Sequence, residues 1–64
     1  VNMTVTYIYS SLAAMADYYD NKALEDREAA KTAKPARKRD LSVRAMTYES
    51  FAHVLRNTKI EPRE

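Results

Sequence analysis

No glycine occurs in this chain of 64 residues. Average usage of about 7% would give roughly four or five. The omission removes the residue that most readily adopts the left-handed backbone at tight turns and helix ends. Turns must then be built from Asn, Asp, Ser or Pro, each with a narrower conformational range. A chain under that constraint is expected to make few turns and long helices. Cysteine is absent as well, so neither a disulfide nor a thiolate metal site can staple the fold.

The apolar inventory sets the next limit. Nineteen residues are large and apolar (Val, Ile, Leu, Met, Phe or Tyr), and ten more are alanine. The length fits a single small domain over 1–64, at a size where a lone core is marginally stable. Completion of the core by self-association or by a partner is therefore expected. No apolar run approaches the ~18 residues of a membrane span, so no membrane partner is expected and the expected location is the cytoplasm or the nucleus.

Three segments differ in pattern. Over residues 1–9, Val1, Met3, Val5, Tyr7 and Tyr9 alternate with Asn2, Thr4, Thr6 and Ile8. Branched and aromatic side chains at period two suit a strand, so the first reading is a short N-terminal strand over 1–10. The competing reading is an extension of the following helix, because Val5, Ile8, Leu12, Met15 and Tyr19 follow a 3-4-3-4 spacing. Ser10 and Ser11 are good N-caps for a helix over 11–33. Leu12, Met15, Ala16, Tyr19, Ala23 and Ala30 form its apolar stripe, with Asp26 inside it. Asp20-Asn21 is a candidate break.

Pro35 is expected to stop that helix. A basic loop over 34–40 follows, and Asp40 is a candidate N-cap for a second helix over 41–57. There Leu41, Ala45, Tyr48, Phe51, Ala52 and Leu55 share one face, while Val43, Met46 and Val54 lie on the other side. Residues 58–64 read as a loose tail. The fold class is mainly α: a short strand or helix extension, then a two-helix hairpin.

Charge is unevenly spread. Residues 17–28 carry a local charge of −3 and residues 31–44 a local +5, within a net +2. The two blocks are able to pair within the chain or between copies. Lys31, Lys34, Arg37, Lys38, Arg39 and Arg44 are candidates for contact with nucleic-acid phosphates or for electrostatic contact with a protein.

Catalytic groupings are nearly absent. His53 is the only histidine, with Glu49 four residues before it; a catalytic zinc needs three protein ligands. The carboxylate pairs Asp17/Asp20 and Glu25/Glu28 sit in a charged helix with nothing apolar nearby to raise a pKa. Without glycine there is no phosphate-cradling loop of known type. Neither catalysis, nor a metal, nor a cofactor, nor a small-molecule substrate is expected.

Two functions remain. The first expectation is a non-enzymatic protein-binding module (an inhibitor, adaptor or accessory subunit) acting on a larger protein or on itself as a homodimer. Tyr7, Tyr9, Tyr18, Val43, Met46 and Val54 are its candidate contact residues, since tyrosine offers broad area with a polar tip. The alternative is a small homodimeric nucleic-acid-binding regulator. An alternating strand followed by two helices resembles in layout the ribbon–helix–helix repressors. That resemblance implies paired strands, with Asn2, Thr4 and Thr6 facing the major groove. It is one of layout alone and carries no family assignment.

Overall fold

The computed structural model describes residues 3–59. They form two α-helices, α1 (Met3–Ala30) and α2 (Pro35–Arg56), packed against each other as an antiparallel hairpin. The result is a rod whose Cα trace extends over 54 × 13 × 9 Å.

The expected strand is helix wherever it is described, from Met3 onward. A lone strand leaves its backbone groups unpaired, and no second strand exists among the described residues. As a helix the same segment satisfies its own backbone. It also prolongs a helix already nucleated by the residues after it, so the weak propensity of Thr4, Val5, Thr6 and Ile8 is overcome. Ser10 and Ser11 are interior helical residues rather than caps, and Asp20-Asn21 causes no break. Val1, Asn2 and residues 60–64 of the expected tail lie outside the described residues.

The link between the helices is short. Lys31 and Ala33 donate backbone bonds to the carbonyls of Glu28 (3.2 Å) and Ala30 (3.3 Å), a tightened last turn. Lys34 is extended, with φ −66° and ψ 157°, and Pro35 opens α2 at its first position. The residue before a proline is driven to extended geometry, and the proline ring fixes φ for a helical start. Pro35 therefore begins a helix as well as ending one. The expected basic loop over 34–40 is instead the cap and first turns of α2, and Asp40 lies inside that helix. At the far end Asn57 caps α2: its backbone N–H donates to the carbonyls of His53 (3.1 Å) and Val54 (3.2 Å), and its side-chain amide donates to His53 O at 2.8 Å. No described residue has positive φ, in keeping with a glycine-free chain.

The seam between the helices is built largely on alanine. Ala16, Ala23 and Ala30 on α1, and Leu41, Ala45 and Ala52 on α2, are its buried apolar residues. The alanines recur every seven residues, and larger side chains at the alternating positions (Leu12 and Tyr19; Tyr48 and Leu55) are only half-buried. Small seam residues let the helix axes approach closely. They also bury little apolar area: among the described residues Leu41, 2% exposed, is the one large apolar side chain that is buried. Arg56, the last residue of α2, reaches back to Asp17 and Asp20. The first turns of α1 therefore run on past the end of α2.

Candidate docking surface

Two side-by-side helices form a single layer with two faces, and here the faces differ in chemistry. One is ionic. Arg27 grips Glu49 with two bonds (Nε–Oε2 3.0 Å, Nη2–Oε1 2.6 Å), and Arg56 binds Asp17 (Nη2–Oδ1 2.7 Å) together with Asp20. Asp17, Asp20, Leu24 and Arg27 follow one another at 3-4-3 spacing, so this stripe runs straight along α1. The Arg27 guanidinium donates to Glu49 and holds its carboxyl below the ordinary value.

The opposite face is apolar over the open half of the hairpin. Tyr19 is its centre, with ring centroids 5.9 Å from Tyr48 in a near-parallel stack, 5.5 Å from Phe51 and 5.5 Å from Tyr18 edge-on. Lys22 lies over the Tyr18 ring at 5.4 Å. Met15, Tyr19, Phe51, Val54 and Leu55 line an open groove of about 360 Å³. Met15 and Phe51 are each about half exposed, at 47% and 50%. Towards the loop the same face turns polar, where Arg44 pairs with Asp26. A second shallow groove, of about 370 Å³ and lined by Met46, Glu49, Ser50, His53 and Val54, follows the outer side of α2. Val54 borders both grooves.

The residues singled out from sequence are dispersed over this layer. Tyr18 flanks the apolar face; Val54 borders its groove; Met46 lines the outer groove, and Val43 is exposed one turn before it. Tyr7 and Tyr9 sit on the part of α1 that runs past α2, 72% and 40% exposed. The spacing predicts Met15 and Phe51 in the core, yet they line the exposed groove. Their signal in the sequence is that each precedes a buried alanine, Ala16 or Ala52, by one residue, which turns it onto the shoulder of the seam.

The basic candidates divide. Lys31 pairs with Glu28 at 2.9 Å, and Arg44 is committed to Asp26. Lys34, Arg37, Lys38 and Arg39 are exposed and form no ion pair among the described residues. They crowd the start of α2, whose first turn carries no acidic residue.

The catalytic and metal candidates weighed from the sequence are engaged in structural pairs. Glu49 is held by Arg27, while His53 Nδ1 lies 3.4 Å from the Asn57 side-chain nitrogen. Glu25 and Glu28 pair with Lys22 and Lys31. Among the described residues no three His, Asp or Glu gather as metal ligands, and no helix is long and apolar enough to cross a membrane. No family model, curated protein or solved structure matches the chain.

Proposed function

We propose that this chain is a non-enzymatic protein-docking module whose apolar face receives helices of another polypeptide. The observation that carries the reading is the asymmetry of the layer. One face is crossed by arginine–carboxylate pairs and exposes Leu24 singly among them, while the other leaves Met15, Tyr18, Phe51 and Val54 together about half exposed or more. A helical layer with one apolar face is stable when a second layer covers that face. Aromatic and methionine side chains are the types enriched at the centres of protein interfaces.

A photo-crosslinking amino acid at position 51, compared with one at position 24 on the ionic face, tests this reading in cells. Adducts to polypeptide from position 51 and none from position 24 are expected. Equal labelling from both, or adducts to nucleic acid alone, overturns it.

The second reading, contact with nucleic acid, is favoured by one observation, the four unpaired cations Lys34, Arg37, Lys38 and Arg39. In the ribbon–helix–helix layout the reading lost its groove-entering strand when residues 3–9 proved helical. What remains is a phosphate contact at the basic tip. It requires duplex binding whose affinity falls steeply with salt; flat, undetectable binding at low salt removes it.

A further inference from the structure

Building on the docking reading, we propose that the second layer is a second copy of this chain. The two apolar faces meet over their open halves only, antiparallel, with the two basic tips at opposite ends of an elongated four-helix dimer.

Area comes first. The chain exposes 5350 Å². A monomeric protein of 7.4 kDa is expected to expose about 4,200 Å². The excess, about 1,100 Å², belongs to the whole elongated rod and leaves room for the roughly 800 Å² that each partner buries in a standard interface.

The distribution of chemistry selects a copy and its placement. Residues 3–16 carry no charge at all, and Asp17 and Asp20 are turned to the ionic face and held by Arg56. Apart from the exposed Lys59 beyond the end of α2, the described open halves therefore meet without burying an unpaired charge or opposing like charges. The loop half differs: Lys22 and the Asp26–Arg44 pair occupy the corresponding face there. Full overlap would press Met15 and Phe51 of one copy onto those charged groups. Half overlap avoids this and sends Lys34, Arg37, Lys38 and Arg39 of each copy to the far ends, where their repulsion is least.

The face is also self-complementary, as a two-fold interface must be. It carries projecting side chains, Tyr7 and Tyr18 on one strip of α1, beside a receiving groove at Met15, Phe51 and Leu55. Half overlap brings the projecting turns of α1 from one copy alongside the groove of the other.

Sedimentation equilibrium of the full chain from 1 to 200 µM tests the proposal, and a mass twice 7.4 kDa is expected in the upper range. Met15→Glu and Phe51→Glu should each weaken dimerisation by at least about thirty-fold, as for a central anchor. Leu24→Glu, on the ionic face, should change it by less than about two-fold. If the glutamate variants lose their helical circular dichroism, cysteine cross-linking decides. Ser11→Cys, near the two-fold axis, should form disulfide dimers rapidly, and Ala36→Cys at the tip should not. A helical monomer at every concentration overturns the second copy, as does faster cross-linking at the tip or a dimer indifferent to both glutamates. Crosslinks from position 51 to a different polypeptide would then keep the docking reading and replace its occupant; an absence of any polypeptide crosslink there would end both.

Discussion

Asp26 and Arg44 meet in two parallel bonds of 2.8 Å across the helix seam, with the carboxylate side chain 9% exposed and the guanidinium side chain 51% exposed. Asp26 follows Leu12 and Tyr19 at seven-residue intervals, so a charge stands where the pattern calls for an apolar residue. The bidentate geometry satisfies both carboxylate oxygens, which makes the position tolerable. It also ties residue 26 to one partner, fixing how far the helices slide along each other.

That pair predicts acid sensitivity. The hydrogen bond from Arg44 holds the Asp26 carboxyl below its ordinary value of 3.8, and Arg27 does the same for Glu49, ordinarily 4.5. In the unfolded chain both groups take up protons at a higher pH than in the folded one. Their contribution is therefore complete above about pH 5 and is lost as pH falls through the folded values. Thermal melts of the parent protein should show Tm falling below pH 5. The double variant Asp26→Asn/Glu49→Gln should start from a lower Tm at pH 7 and show a flatter acid limb, converging with the parent near pH 2. An acid limb unchanged by the double variant would refute this contribution.

The alanine seam makes a size prediction. Ala23 and Ala45 are 1% and 0% exposed. Replacing either with Leu inserts volume between closely spaced backbones and should destabilise the fold by about 1–3 kcal/mol. The same change at the exposed Ala29, in the loop half, should stay within about 0.5 kcal/mol. Urea denaturation of the three variants measures the difference, and equal effects would contradict close packing at the seam.

The start of α1 is testable by circular dichroism. Ser10→Pro removes a helical donor and clashes with the turn before it. Because the residues ahead of it run past α2, the damage should be confined to them, costing about eight helical residues while the Ala16–Ala52 region stays cooperative. Unchanged helicity would mean that this segment is not helical in solution.

The basic tip makes an electrostatic prediction. Arg37, Lys38 and Arg39 stand in the first turns of α2, where the helix dipole is positive and cations are disfavoured. Replacing all three with Ala should raise Tm at low salt and leave it unchanged near 1 M salt, where the Debye length is about 3 Å. A fall in Tm at low salt would show that these cations have stabilising partners.

The sequence on its own determined two long helices, a break between them near Pro35 and an end of the second at residue 57, although it started that helix at Leu41 and not at Pro35. Each depends on neighbours within about one helical turn, which chain order specifies. Even the helix at residues 3–9 was visible as the 3-4 spacing of Val5, Ile8 and Leu12. Local β-branching competed with it, and that competition is settled by whether a pairing strand exists, which is not a local property. Only the tertiary structure decided which residue of each apolar stripe reaches the seam. Ala16 and Ala52 bring the helix axes together there, and this turns Met15 and Phe51 outward although they share the stripe. It likewise decided which charges are spent. Arg27, Arg44 and Arg56 find carboxylates 18 to 39 residues away, whereas Arg37 acts on Asp26 only at longer range and Arg39 forms no ion pair among the described residues. Separations of that length become contacts only once the hairpin has closed, because the antiparallel register, and not the spacing within one helix, places the partners.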